Sequence, residues 1–490
     1  MSTDFSQYDA VALGNMIRRG QLDPLELTEW TLASIDRLNP ELNAVIHRMD
    51  DEARRMARHW QAEIAAGRAD DAVFCGVPFL LKDLLAEYAG APFNEGCRAL
   101  KEYVSRVDSE LVVRQKRAGL IVCGKTNTPE FGGSPVTEPA LHGVTRNPWN
   151  PGHTPGGSSG GSAAMVAAGV VPMAHANDGG GSIRIPASCC GLFGMKPTRG
   201  RNPLGPLFGD LGSGIIYEHV VTRTVRDSAA MLDATCGPEL GEPYGLPRPA
   251  AGFATEVERE PGRLRIGFIN RIPSGWHEST TAHPDCVTGV EETAKACAAL
   301  GHDVVEIEAD TFAEPNMVAI FGARFGGFVA HVMRYWAREL GREMTCDDVE
   351  DATWDWYQGA LNSSPGEYLE AVETAQLFSR RMAEWYAHGD FDVLLSPTLA
   401  VPPVKIGAFT PSDDAPGQWL VDILNFVAFT YAYNLTGQPA MSVPLAQSIE
   451  GLPIGMQFIG RFGDEATLFR LARQLERAHP WVGRVPQIHC

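Results

Sequence analysis

The chain has 490 residues, 44% of them hydrophobic, enough to bury a large core and long enough for two or three domains. Its 41 basic and 60 acidic residues leave a net charge of −19, which argues against nucleic acid and anionic membranes as main partners. Ten irregularly spaced cysteines fit neither a disulfide framework nor a zinc pattern and read as reduced core residues of a cytoplasmic protein.

Residues 5 to about 70 are predicted to be helical, with no secretory signal at the start. Leu22-Asp23-Pro24-Leu25 supplies an N-cap followed by proline at the first helical position. Leu25, Thr28, Leu32 and Ile35 then keep a helical spacing, and Asn39-Pro40 is expected to stop that helix. Short apolar strands follow at residues 77–81, 119–123 and 170–174, alternating with small-residue helices. Residues 237–262 are rich in glycine and proline and predict a long surface loop. Residues 263–269 predict a strand, and Val290, Ala294 and Cys297 mark one face of a helix. From Phe312 to Tyr386 the chain is helical and rich in aromatics: Trp336, Trp354, Trp356, Tyr357, Trp385 and Tyr386. Helix packing explains most of these rings, and part of the stretch is expected to roof a substrate pocket. Residues 391–397 return to a sheet, and residues 418–478 end the chain with a helix, strands and an amphipathic helix. No run reaches the roughly 18 apolar residues that a membrane span needs.

The chemistry concentrates in two glycine-serine clusters, Gly156-Gly157-Ser158-Ser159-Gly160-Gly161-Ser162 and Asp178-Gly179-Gly180-Gly181-Ser182-Ile183-Arg184. The small apolar run between them, residues 163–176, argues against a flexible linker. Glycine lets several backbone N–H groups crowd round one point, so a serine there can attack a carbonyl while amides of Gly179, Gly180 and Gly181 hold the oxyanion. No histidine stands close by in sequence. A base is offered instead by Lys82, inside the apolar run Gly76 to Leu85, where burial would disfavour its ammonium form. Asp83, next along a strand, should point the other way.

Lys82, Ser158 and Ser182 in these settings resemble the Ser–cisSer–Lys triad of the amidase signature family. The resemblance extends to Gly124-Lys125-Thr126-Asn127-Thr128-Pro129-Glu130-Phe131, to Gly191 through Arg201, and to Thr222-Arg223-Thr224-Val225-Arg226-Asp227. It continues through Asn434-Leu435-Thr436-Gly437-Gln438-Pro439-Ala440 and Gly451-Leu452-Pro453-Ile454-Gly455-Met456-Gln457. Within the family, Arg146 through Asn150, Ile185 through Ser188 and Ala299 through Val304 look most like the 6-aminohexanoate cyclic-dimer hydrolases, which open nylon-oligomer amides.

The resemblance implies a single α/β domain with a central mixed, twisted sheet flanked by helices. Residues 1–70 would form an N-terminal helical segment and residues 71–490 the main domain, with a catalytic core at 75–235 and a helical insertion around 312–386. It implies Ser182 as nucleophile, Ser158 as a bridging hydroxyl after a cis peptide, and Lys82 as base, with no cofactor and no metal. Asp178 and Arg184 would support the nucleophile loop by pairing or by capping its amides, and Gly133 would line the acyl pocket. Family members commonly carry Thr-Asp where this chain has Asn177-Asp178, a change expected to touch pocket shape rather than chemistry. The implied partner is a small-molecule amide, with an ester or urethane as the alternative and a homodimer as the expected assembly. A glutaminase subunit of a tRNA-dependent amidotransferase is the alternative of another class.

Two further patterns fall to plainer readings. Gly119 through Thr126 spells a P-loop, but its apolar, β-branched interior predicts a strand, and Pro129 interrupts the helix a P-loop requires. His47, His142, His153 and His175 show no metal-ligand spacing.

Overall fold

The computed structural model describes residues 4–279, 281–410 and 418–490. Among them eleven strands divide into two sheets. The smaller contains β1 (Val45–Arg48), β2 (Pro78–Lys82) and β3 (Ile121–Thr126), in the order β1-β3-β2. The larger holds β4 (Met173–Asp178), β5 (Phe193–Lys196), β6 (Tyr217–Thr222), β7 (Arg265–Phe268), β8 (Asp303–Glu306), β9 (Val393–Pro397), β10 (Ala440–Gln447) and β11 (Pro453–Gly460). Their order is β4-β6-β5-β10-β11-β9-β7-β8. Strands β7, β8 and β9 run parallel to one another and the remaining pairings are antiparallel, so this sheet is mixed as expected. Every residue of β2, β3, β4, β9 and β11 is buried, the mostly apolar β2, β9 and β11 and also the polar His175, Asn177 and Asp178 of β4 and Lys125 and Thr126 of β3. Within the larger sheet β7 and β8 are joined by helix Pro284–Ala299, whose buried face includes Val290, Ala294 and Cys297.

Strand β2, which carries Lys82, belongs to the smaller sheet and packs beside β4 of the larger one. Between the glycine-serine clusters, helix Gly160–Ala167 is buried along its whole length, as its small residues allow. The P-loop look-alike is strand β3, with no loop to cradle a phosphate. Asp23 caps helix Pro24–Leu42 as its sequence predicts, but Pro40 does not stop that helix. The helix runs on to Leu42 and ends where Asn43 turns left-handed, its N–H bonded to the Asn39 carbonyl. Proline in a last turn forfeits only one backbone bond, and the Asn39 side chain organises the exit by accepting from the N–H groups of Ala44 and Val45.

Helices Met317–Leu340, Asp351–Leu361 and Pro365–His388 occupy the predicted aromatic stretch. The loop from Gly237 to Gly252 is irregular as expected, and the short helix Phe253–Glu256 follows it. Eight of the ten cysteines are buried and none is paired with another. No described helix is long and apolar enough to cross a membrane.

Candidate active site

Lys82 ends β2 with no exposed surface, and its Nζ lies 2.6 Å from Ser158 Oγ. The same nitrogen donates to Asn177 Oδ1 at 2.5 Å. Burial drives the lysine down from 10.5, against the pull chiefly of Glu218 and then Asp178, to about 7. Asp83 does face away: its carboxylate is 2.9 Å from Lys125 Nζ. Burial would raise that carboxyl, but Lys125 and His47 hold it at about 2. The next acid along the chain therefore does not hold a proton on Lys82.

Ser158 follows a cis peptide from Gly157. A Cβ at Gly157 would fall 2.7 Å from the Pro135 and Ser134 backbone, and one at Gly132 would sit 3.1 Å from Ser158 Oγ. The segment thus needs glycine for close packing as well as for turning. It is Ser159, not Ser158, that precedes helix Gly160–Ala167, and Ser162 donates to the His175 carbonyl.

Ser182 lines the same cleft as Ser158 and retains 8% exposure. The loop that carries it is clamped by Asp178. One carboxylate oxygen accepts from Gly181 N–H at 2.7 Å, the other from Ile183 N–H at 3.2 Å, and both meet the Arg184 guanidinium. Burial would raise Asp178, yet Arg184, Lys196 and Asn434 keep it at about 2. Gly181 has φ +135°, and a Cβ there would collide with Thr430 Oγ1 at 2.5 Å. With Gly181 N–H committed to Asp178, the amides of Gly179, Gly180 and Ser182 have no hydrogen-bond partner among the described residues.

The supporting residues come from far along the chain, and most were invisible as such in the sequence. Thr430 donates to the Gly180 carbonyl. Asn434 donates to Asp178 and accepts from Arg184, whose other arm reaches Gln457 Oε1. Asn434 and Gln457 sit in the two C-terminal motifs noted above, which supplies those motifs with a physical role. Asn177 was expected to affect only pocket shape, but its amide lies directly on Lys82 Nζ.

Ser158 and the Ser182 loop line a cleft of about 1020 Å³, part of it open to solvent, and Lys82 lies behind Ser158 without lining it. Gly133, Gly179 and Gly180 line it, whereas Asp178 and Arg184 stay behind the loop. The aromatic stretch does contribute to its wall, although Trp356 is the only one of the six singled-out rings there. The others there are Phe321, Phe325 and Phe328 of helix Met317–Leu340, with Phe321 and Phe325 stacked 5.7 Å apart. Helix Gln418–Phe426 adds Trp419, Leu420, Ile423 and Leu424. No lining residue among the described ones bears an ionisable side chain.

Away from the cleft, His47, Asp83 and His142 place ligand atoms within 4.8 Å of one another. The Lys125 ammonium already balances Asp83 there, and His47 Nε2 is 2.6 Å from Asn94 Oδ1. Of the other histidines considered, His153 is buried and His175 lies against Glu218.

The Amidase family model matches residues 26–469. The chain is 37% identical over 489 residues to the 6-aminohexanoate-cyclic-dimer hydrolase of Paenarthrobacter ureafaciens, covering 98% of this chain and 96% of that one. It is 38% identical over 478 residues to the putative amidase AmiC of Mycobacterium tuberculosis, covering 96% and 95%. Among solved structures, a 6-aminohexanoate cyclic dimer hydrolase complexed with substrate superposes with a TM-score of 0.91 at 35% identity, covering 99% of both chains. A bacterial aryl acylamidase of the amidase signature family superposes with a TM-score of 0.88 at 29% identity, covering 98% of both. On sequence and fold together, the chain belongs to the amidase signature family and is an amidase, a hydrolase of small-molecule amides.

Proposed function

We propose that the protein hydrolyses uncharged, apolar amides, cyclic or aryl, by a seryl acyl-enzyme route in which Lys82, Ser158 and Ser182 act together. The observation that carries this reading is the fully buried Lys82 nitrogen 2.6 Å from Ser158 Oγ, a hydroxyl that lines the same cleft as Ser182. In its neutral form Lys82 accepts the Ser158 proton while Ser158 takes one from Ser182, whose Oγ attacks the carbonyl carbon. The amides of Gly179, Gly180 and Ser182 are the donors available to the oxyanion, and each such donor is worth about 10²–10³ in kcat. Collapse breaks the C–N bond, and the proton returns through Ser158 to the leaving amine. Water activated by the same relay then cleaves the ester to Ser182, releasing the acid.

The substrate class follows from the wall. The described residues that line the cleft include no ionisable side chain to pair a buried substrate charge, so a charged amide would forfeit its hydration against them. That disfavours glutamine, which carries both an ammonium and a carboxylate, and with it the glutaminase-subunit alternative. Cyclic nylon-oligomer amides and anilides meet the requirement, in keeping with the names of the two solved relatives. Esters and urethanes present the same carbonyl and belong in the same assay panel. The expected homodimer is tested by sedimentation at equilibrium.

The experiment is turnover of a neutral anilide and a cyclic diamide by the wild type, Ser182→Ala and Lys82→Ala, with fluorophosphonate labelling mapped by mass spectrometry. Loss of turnover by at least 10³ in both variants and labelling at Ser182 are expected. Wild-type turnover in Lys82→Ala, or labelling at another serine with Ser182 untouched, overturns the assignment.

A further inference from the structure

Behind Lys82 lies a second set of polar groups that the relay does not use. Strands β4 and β6 pair with Asn177 opposite Glu218, and two-residue periodicity puts His175 on the same face as Asn177. Asn177 accepts from Lys82 through Oδ1, while its Nδ2 donates to the Leu84 carbonyl at 3.0 Å and to Glu218 Oε1 at 3.4 Å. These two acceptors fix which way the amide points. The other Glu218 oxygen meets His175 Nε2. His175, Asn177 and Glu218 are all buried, at 0%, 3% and 3% exposure. His175 Nδ1 has no partner among the described residues, and Nε2 is the ring nitrogen that meets the carboxylate.

Every other acid facing Lys82 is already accounted for. Asp178, at the end of β4, is matched by Arg184, and Asp83, on the lysine's own strand, by Lys125. Glu95, from the loop after β2, accepts from Trp336 Nε1, and burial pushes it up to about 8, so it is neutral at pH 7. Glu218 faces no Lys or Arg within 4 Å among the described residues, and the small cleft on its far side, lined by Leu85, Leu204 and Phe208, offers none. Among lysines and arginines, the side chain left for it is Lys82, one amide away.

We propose that Glu218, braced by His175 and joined to Lys82 through the Asn177 amide, is the positioning residue that holds the catalytic lysine in place and balances its charge. The inference rests on Lys82 as the base of the proposed mechanism. Glu218 is the first of the charges that oppose burial in keeping a proton on Lys82. Removing that charge makes the lysine easier to deprotonate and a weaker base once deprotonated.

The test is the pH dependence of kcat/KM for a neutral anilide in four proteins: wild type, Glu218→Gln, Glu218→Asp and Asn177→Asp. In Glu218→Gln the acid limb should move down by on the order of one pH unit, with the plateau lower by about threefold. Glu218→Asp, which keeps the charge, should restore the limb to within a few tenths of a unit. Asn177→Asp puts a carboxylate on the amine itself and should move the limb upward. A purely structural role predicts loss of amplitude without movement of the limb. An unmoved limb in both charge-altering variants overturns the proposal, as does the same displacement in Glu218→Gln and Glu218→Asp. If Glu218→Gln does not fold, the upward movement in Asn177→Asp decides. Lys82→Ala, run in parallel, separates the two levels: if it retains turnover, the mechanism itself fails. If it is dead while the limbs stay fixed, only the role of Glu218 fails.

Discussion

Replacing Lys82 by methionine should abolish activity and yet stabilise the fold. Methionine keeps the length and bulk of the side chain but has no amine to strip of water. A depression from 10.5 in the unfolded chain to about 7 in the fold means the unfolded chain binds more protons throughout that window. At pH 7 the folded state therefore forgoes about 4 kcal/mol, falling to about 2 kcal/mol at pH 9 and to nearly nothing above pH 11. Below pH 7 both states hold the proton and the penalty stays at its maximum. Against this gain, methionine leaves Asn177 Oδ1 and Ser158 Oγ without their lysine contacts, a loss of about 1 kcal/mol each. The expected net stabilisation is about 2 kcal/mol at pH 7, vanishing near pH 9. Urea unfolding followed by tryptophan fluorescence at several pH values between 7 and 9.5 measures it. A stability difference that is flat across this range, or a methionine variant less stable than wild type at pH 7, would refute the idea of a lysine held neutral by burial.

The remaining expectations address the relay, the loop and the wall. In the wild type, kcat/KM should fall about tenfold per pH unit below 7 as Lys82 takes up a proton, read from a pH–rate profile on a neutral anilide. Asp178→Asn should leave buried Arg184 without its countercharge and cost about 3–5 kcal/mol in chemical denaturation, a larger loss than Thr430→Val produces. Ile423→Lys should raise KM for apolar amides at least tenfold, while labelling of Ser182 by a small fluorophosphonate continues, because only the wall is altered. Phe325→Ala should open the wall and favour bulkier acyl groups, with relative kcat/KM across an anilide series as the measure.

The residues whose chemistry is local were legible in the sequence. Lysine inside an apolar strand, serine inside a glycine cluster and small residues in a buried helix each state their environment by composition, and the structure finds Lys82 and helix Gly160–Ala167 buried as expected. What stayed hidden was pairing across large separations. Nothing near Thr430 announces that its hydroxyl holds the Gly180 carbonyl, 250 residues away. Asn434 and Gln457 stood out as motif residues, but their function depends on meeting Arg184 in three dimensions. The wall was half legible, because aromatic helices look alike whether they pack on each other or on a ligand; six rings were marked, and only Trp356 lines the cleft. At Pro40 a local rule failed because the Asn39 side chain organises the helix end two residues further on.

Strand β1 comes from the helical beginning of the chain and touches nothing in the cleft, but it is the antiparallel neighbour of β3. A fragment beginning at residue 71 would keep every group named in the relay while leaving β3 with a bare row of N–H and C=O groups along one side. Open strand edges recruit other strands, so such a fragment is expected to self-associate before it can be assayed. In the intact chain β1 closes that side of the sheet that carries the lysine.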